Sequence, residues 1–157
     1  MSPTRGNTIQ VSRTLRADPQ QAFDVVYDVE YFPMFMPNVT AARVISNDGD
    51  RKTVEWEMLI DGAPLNWTED IRYDRDLLTA DFKALDGVFS HFDGTWRVWV
   101  SANGTNLEVS VFYDLGLPEI EDIIGPILEE RLRQNLDAML YHIDAMLENI
   151  EARVGST

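Results

Sequence analysis

The sequence predicts an α+β fold in which a curved, seven-stranded antiparallel sheet is closed by one long C-terminal helix. Between residues 118 and 153, apolar side chains recur every three or four positions, which lays them along one side of a helix. Between residues 39 and 113, apolar and polar residues alternate in runs separated by turn sequences, as in consecutive hairpins. A helix with so wide an apolar stripe needs a sheet to cover it.

The apolar stripe of the C-terminal segment predicts where the long helix begins and how far it extends. Its members are Ile124, Leu128, Leu132, Leu136, Met139, Ile143, Met146 and Ile150, with Ile127, Leu140 and Leu147 beside them. Pro126 fits a first helical turn, where the N–H that proline lacks has no partner, so the predicted start is near Gly125. Glu119, Glu121 and Asp122 then fall in a loop before the helix.

The N-terminal part predicts one strand followed by two short helices. Residues 7–15 alternate in polarity and are typical of a strand. Asp18 can cap a helix whose first position is Pro19. The aromatic, proline-containing segment from Tyr31 to Pro37 predicts a second short helix packed over an apolar surface.

Six further strands follow, separated by turn sequences rich in glycine, asparagine and aspartate. The predicted turns are Asn47-Asp-Gly-Asp50, Asp61-Gly62, Asp86-Gly87 and Asn103-Gly104. Gly94 interrupts the strand between the last two turns and is interpreted as a bulge. This order of elements is the helix-grip arrangement, with the two short helices between the first and second strands.

Composition bounds the domain count and the class of partner. The 157 residues predict a single domain over residues 7–153, with flexible ends at 1–6 and 154–157. The balance of 27 acidic against 13 basic residues gives a net charge of −14, which argues against binding nucleic acid or anionic membranes. The sequence contains no cysteine, so disulfides, cysteine-bound zinc and thiol catalysis are excluded.

Further motifs that would indicate a membrane segment, a cofactor or a metal are missing from the sequence. No apolar run approaches 18 residues and the first residues lack the apolar core of a signal peptide, so we expect a cytoplasmic protein without membrane insertion. No glycine-rich phosphate loop, Ser-His-Asp order or His-x-x-x-His pair is present, so no cofactor or metal is expected.

Several short motifs resemble those of the START-like (SRPBCC) superfamily. They are Ala22-Phe-Asp-Val-Val-Tyr-Asp-Val-Glu-Tyr-Phe-Pro33, Trp67-Thr68, Phe92-Asp-Gly-Thr-Trp96, Gly104-Thr105 and Tyr113-Asp-Leu115. The likeness extends over about residues 7–150 and points especially to the branch of polyketide cyclases and aromatase/cyclases. The coenzyme-Q-binding proteins of the Coq10 type are similar in pattern.

The resemblance implies a deep, mainly apolar cavity between the long helix and the concave sheet. In cyclases of this kind the cavity accepts a poly-β-ketone tethered to an acyl carrier protein and folds it for aldol cyclisation and loss of water. We therefore expect a cofactor-independent cyclase that acts on a small hydrophobic or polyketide ligand as a monomer or homodimer, with an acyl carrier protein as a candidate partner. The main alternative is a non-catalytic carrier of a quinone or lipid, and the third is a RatA-like regulator.

Three polar residues are candidates for the chemistry. Glu69 shares a strand face with Trp67 and Ile71, and burial in a cavity would raise its pKa and make it a usable acid or base. Alternatively, Glu69 faces solvent or pairs with an arginine. His91 belongs to the residue type that titrates near neutral pH, and the Tyr113 hydroxyl is suited to donate to a ketone or enolate oxygen, with the Tyr73 hydroxyl as the alternative.

Large apolar side chains are predicted to shape the cavity wall. Indole rings offer flat surfaces on which a forming ring or a quinone can stack, although the same residues could equally fill a core. In a regular strand only one of Trp96 and Trp99 faces inward, and Trp96 is favoured. The predicted substrate-contacting residues are Trp56, Trp67, Trp96, Phe32, Phe35, Met58, Ile71 and Phe82.

The sequence also departs from the pattern that the resemblance implies. Aromatase/cyclases of this kind carry a cavity arginine and a cavity tyrosine at positions that Ile71 and Val39 occupy here. Arg72 is one residue away and would face the opposite side of a regular strand. An aromatase mechanism that uses this pair is therefore not expected, and the cavity would take a different ketide or another ligand.

Overall fold

The computed structural model describes residues 7–60 and 62–155, with side chains described up to residue 149. The strands are β1 (Asn7–Leu15), β2 (Val39–Asn47), β3 (Arg51–Ile60), β4 (Ala63–Asp74), β5 (Thr79–Ala84), β6 (His91–Ser101) and β7 (Gly104–Asp114). The helices are α1 (Pro19–Tyr27), α2 (Phe32–Phe35), which a 3₁₀ turn at Val29–Tyr31 precedes, and α3 (Pro118–Gly155). Of the ends predicted to be flexible, residues 1–6, 156 and 157 lie outside the described residues, whereas α3 includes 154 and 155.

The seven strands form one antiparallel sheet in the order β1-β7-β6-β5-β4-β3-β2. The predicted helix-grip fold is therefore confirmed, with its two short helices between β1 and β2. Because β1 and β2 are the two edge strands, the segment that joins them has to cross the sheet. Helix α1 accordingly contacts β5, β6 and β7 as well as α3. No described helix contains a stretch long and apolar enough to cross a bilayer.

Helix α3 lies over the concave face of the sheet through the predicted apolar stripe. The residues of the stripe that are buried are Leu132, Leu136, Met139, Leu140, Ile143 and Leu147. Toward the N-terminus of the helix, Ile123 and Ile127 are exposed. Only the later turns of α3 therefore take part in the core.

The predicted start of the long helix was wrong. The helix begins at Pro118, so Pro126 lies inside it and the acidic residues near 120 form its first turns. Pro118 takes the first-turn position that was assigned to Pro126, and Pro126 removes one backbone hydrogen bond without ending the helix. The Glu121 side chain accepts a hydrogen bond from the Leu115 N–H at 2.9 Å, which fixes the chain entering the helix.

Gly94 does not form the predicted bulge. The register of β6 is continuous with both neighbouring strands, with Gly94 opposite Phe82 and Val111. A Cβ atom at this position would lie 1.9 Å from the Ser110 carbonyl oxygen and 2.8 Å from Cζ of Phe82. Glycine is therefore present because the neighbouring backbone and the Phe82 ring approach too closely for any side chain.

A buried lysine ties the end of α1 to the sheet. Lys52 Nζ donates a hydrogen bond to the Tyr27 carbonyl oxygen at 2.5 Å and lies 3.6 Å from a Glu30 carboxylate oxygen. Burial lowers the pKa of Lys52, and nearby carboxylates partly offset that effect. Cations are favourable at the C-terminal end of a helix. Lys52 therefore fixes the point at which the chain turns to bring Val29 and Phe32 over the sheet.

The close approach at Gly94 generates a stability prediction. Gly94→Ala should lower the free energy of unfolding by about 3 kcal/mol, because the added Cβ would overlap the Ser110 carbonyl oxygen and the pairing of β6 with β7 holds that backbone in place. Val100→Ala in the same strand, at an exposed position, should change it by less than about 0.5 kcal/mol. Urea unfolding followed by circular dichroism measures both values. Equal midpoints for Gly94→Ala and the unaltered protein would contradict the argument.

Candidate functional site

The inner face of the sheet, the start of α2 and the middle of α3 enclose a cavity of about 60 Å³. That volume has room for a few water molecules. Sites for small organic ligands are commonly about 300–1,000 Å³. A ligand of polyketide or quinone size can therefore enter only if lining side chains or α3 move aside.

Eight of the residues predicted to act on or contact a ligand line this cavity. They are Glu69, Trp56, Trp67, Trp96, Phe32, Met58, Ile71 and Phe82. Strand alternation brings them together, because even-numbered residues of β3, β5 and β6 and odd-numbered residues of β4 point inward. Trp99 points outward, where the Arg97 guanidinium lies 4.8 Å from its ring centroid, so the preference for Trp96 agrees with the structure.

Glu69 is the buried acidic residue of the cavity, with 5% of its surface exposed. One carboxylate oxygen accepts a hydrogen bond from Trp56 Nε1 at 2.5 Å. Burial raises the pKa of Glu69 to about 8, against the opposing effect of the indole N–H groups of Trp56 and Trp67. Within the described residues no lysine or arginine forms an ion pair with it, so at neutral pH the carboxyl group is mostly protonated.

Aromatic rings surround this carboxyl group. The Trp56 and Trp67 rings are stacked, with centroids 6.2 Å apart and an interplanar angle of 22°. Phe32 lies against Trp56 at 5.7 Å, and Phe92 lies against Trp67 at 5.5 Å. Trp67 Nε1 is buried and makes no hydrogen bond with acceptable geometry to any described group, although it is near enough to lower the pKa of Glu69. The site therefore combines an acidic proton with flat apolar walls.

Three predicted site residues lie outside the cavity lining. His91 is exposed on the outer face of β6, because the strand has no bulge that would turn it inward. Tyr113 is buried near the end of β7 and contacts Phe89 with ring centroids 6.0 Å apart. Phe35 packs against Phe32 at 5.8 Å and lines a separate surface groove. The structure does not bring these three side chains together with Glu69.

Sequence reasoning missed a polar residue of the cavity, Asn135. Its Nδ2 atom donates to the Leu59 carbonyl oxygen at 3.3 Å, which links α3 to β3 beside the cavity. A polar residue between Leu132 and Leu136 of the apolar stripe was the available signal. Tyr73, the alternative to Tyr113 as hydroxyl donor, also lines the cavity. The other lining residues that had not been assigned to the site are Ile9, Val26, Val29, Ile60, Ala80, Phe92, Val109, Val111, Leu132, Leu136 and Met139.

The two positions at which the resemblance implies a cavity arginine and a cavity tyrosine have apolar surroundings in the structure. Ile71 lines the cavity, Val39 is buried, and Arg72 is exposed on the outer face. Across the described part of the chain, no three histidine or acidic side chains gather in a way that could hold a metal ion. The candidate acid/base in the cavity lining is thus Glu69.

The raised pKa of Glu69 predicts how stability changes with pH. The ordinary pKa is 4.5 and the folded value about 8, so between these values the folded protein holds a proton that the unfolded chain has lost. The Glu69 contribution to stability should therefore fall as pH rises from about 4.5 to 8, by up to about 1.4 kcal/mol per pH unit.

The variant Glu69→Gln isolates this contribution, because glutamine stays neutral. The difference in unfolding free energy, Glu69→Gln minus unaltered protein, should increase by several kcal/mol between about pH 5 and pH 8.5. Urea titrations at four pH values measure it, with Glu55→Gln at an exposed position of β3 as the control. A difference that stays constant with pH would show that Glu69 is ionised in the folded protein.

Solved structures share this fold at low sequence identity. The protein TTHA0849 from Thermus thermophilus superposes with a TM-score of 0.85 at 19% identity, covering 92% of this chain and 99% of that one. The ZhuI aromatase/cyclase from Streptomyces sp. R1128 superposes with a TM-score of 0.83 at 17% identity, covering 92% and 94%. A START superfamily protein from Mycobacterium smegmatis gives 0.75 at 16% identity, covering 92% and 98%. These likenesses show the START-like fold.

Sequence comparison gives two further matches. The ribosome association toxin RatA of Rickettsia prowazekii (strain Madrid E) is 24% identical over 121 residues, which cover 75% of this chain and 83% of that protein. The family model described as polyketide cyclase/dehydrase and lipid transport matches residues 15–140. The chain therefore belongs to the polyketide cyclase/dehydrase and lipid transport family, within the START-like superfamily.

Proposed function

We propose that this protein is a cofactor-independent polyketide cyclase/dehydratase in which Glu69 supplies and removes protons. The observation that carries the proposal is one buried carboxyl group among the described lining residues, with its pKa raised to about 8, inside a largely apolar and aromatic cavity. A group whose pKa is near the working pH is best suited to general acid–base catalysis. A pKa perturbed by burial in a cleft is also a mark of functional sites.

The chemistry follows from the two protonation states of Glu69. At pH 7 roughly one tenth of the carboxyl groups are ionised, and that form removes a proton from a carbon between two carbonyl groups of the ketide. The resulting enolate carbon attacks a ketone carbon of the same chain, and the ketone oxygen takes the proton back. In the dehydration step the Glu69 carboxylate removes a second proton from the α-carbon and then delivers it to the departing hydroxyl group, which leaves as water.

The cavity walls supply the folding of the chain. Trp56, Trp67 and Phe82 present flat or bulky surfaces within the same cavity as the carboxyl group. When the cavity holds the two reacting carbons close together, the entropy of ordering them is lost on binding and not in the chemical step. This effect accounts for a large part of the rate increase in enzymes of this kind. An acyl carrier protein is proposed as the partner that delivers the substrate.

The proposal predicts the products of Glu69→Gln. The unaltered protein incubated with a carrier-bound poly-β-ketone should change the pattern of rings and of water loss, and Glu69→Gln should slow this change by about 10²–10⁴-fold. Mass spectrometry of the products at successive times measures the rate. Glu55→Gln, which alters an exposed carboxylate of β3, should leave it unchanged. Equal rates for Glu69→Gln and the unaltered protein would remove Glu69 from the mechanism but keep the cyclase.

A non-catalytic carrier of a quinone or lipid is the second candidate. The largely apolar lining favours it, since apart from the indole N–H groups only Glu69, Asn135 and Tyr73 among the side chains described there are polar. The family description likewise includes lipid transport. If no product forms with either protein while native mass spectra show a retained quinone or lipid, the carrier is correct. A RatA-like regulatory role is the third candidate and rests on the 24% identical relative.

A further inference from the structure

The cavity contains a buried indole N–H that lies beside the Glu69 carboxyl group but makes no hydrogen bond of acceptable geometry to it. Trp67 Nε1 is fully buried and makes no acceptable hydrogen bond to any described group. Leaving a buried donor without an acceptor is unfavourable, because the donor has lost its hydrogen bonds to water and gains none in return. Native proteins contain few such groups, and each calls for an explanation. Here the indole lines the cavity, so a ligand atom in the cavity can reach it.

The Glu69 carboxyl group offers a second donor at the same place. The hydrogen bond from Trp56 engages one of its two oxygens, and the carboxyl group is mostly protonated at neutral pH. A protonated carboxyl group donates one hydrogen bond. Trp67 is near enough to influence the same carboxyl group, so the indole N–H and the carboxyl O–H serve one small region of the cavity.

We propose that Trp67 Nε1 and the Glu69 carboxyl group together bind one acceptor oxygen of the ligand, a carbonyl oxygen carried on a planar ring. The inference rests on the proposed function only in that the same cavity holds the ligand, and it applies to the ring formed from a ketide and to a quinone alike. Trp67 then determines which ligands bind, in addition to forming part of the cavity lining. Its stacked arrangement with Trp56 orients the ring, while the two donors fix its oxygen.

This arrangement distinguishes classes of ligand. A ligand with a ring carbonyl satisfies both donors, whereas a hydrocarbon of the same shape leaves them buried and without an acceptor. Sites built to bind a polar group strongly reject the analogue that lacks it. Plain fatty acyl or isoprenoid chains should therefore bind poorly at this end of the cavity.

The test uses a ketone and its matched hydrocarbon, 1-tetralone and tetralin, which differ by one carbonyl group. Isothermal titration calorimetry at about pH 6.5 should show that the unaltered protein binds the ketone at least about 10-fold more tightly. Trp67→Phe keeps an aromatic ring but removes the N–H, so its preference for the ketone should fall below about 3-fold. Trp99→Phe, on the outer face of β6, should keep the full preference.

A second measurement keeps the inference testable if Trp67→Phe does not fold. In the unaltered protein the ketone preference should decrease between about pH 6.5 and pH 9, because the ionised carboxylate no longer donates and repels the oxygen. Tyr73 is the other titratable side chain lining the cavity, and burial raises its pKa above the ordinary value, so it stays neutral over this range.

The outcomes separate this inference from the proposed function. Equal affinities for the two ligands in the unaltered protein, or an undiminished preference in a folded Trp67→Phe variant, would overturn the oxygen site and leave the cyclase standing. Binding of neither ligand would also overturn it. A clear ketone preference together with inactivity toward poly-β-ketones would keep the oxygen site and remove the cyclase.

Discussion

The structure depends on the covering of one concave sheet face by a single helix. All seven strands present apolar side chains on that face, and α3 is the element long enough to lie across it. The match is incomplete, because the curved sheet is wider than the helix and leaves a small cavity between them. Glu69 in that cavity departs from the rule that interiors exclude charge-bearing groups, as the buried Lys52 does elsewhere in the fold. Core and candidate site are thus parts of the same interface.

Two buried titratable residues show how differently the fold treats such groups. Lys52 donates a hydrogen bond to the carbonyl oxygen at the end of α1 and forms an ion pair with Glu30. These contacts give Lys52 a structural role and explain its burial. Glu69 has no such cation partner among the described residues, and its hydrogen bond from Trp56 compensates only part of its burial. Residues that break a local rule without a structural benefit are expected at functional sites. The contrast therefore directs attention to Glu69 and away from Lys52.

Strand alternation made much of the cavity lining predictable from sequence. A period of two places Glu69 with Trp67 and Ile71, whatever the register with neighbouring strands, and the structure finds all three in the cavity. Alternation could not show that Tyr113 lies beyond the cavity, because the extent of the cavity along a strand depends on where the helices cover the sheet. Gly94 was misread for a related reason, since a bulge and a close approach both require glycine and only the neighbouring strand distinguishes them. The predicted start of α3 was wrong because Pro118 and Pro126 both fit the first turn of a helix, and the sequence does not distinguish them.

The protonation of Glu69 is the property that best separates the candidate functions. A carrier gains from a neutral donor that binds a carbonyl oxygen, and a pKa far above 8 would serve it best. A catalyst needs both protonation states within reach of its working pH, even though the buried carboxyl group lowers stability as the pH rises. The Trp56 N–H lowers the pKa from the value that burial alone would give, which keeps the ionised form accessible. Burial and the indole N–H groups of Trp56 and Trp67 thus shift the pKa of Glu69 in opposite directions, and the outcome leaves the neutral form predominant near pH 7 with the ionised form accessible.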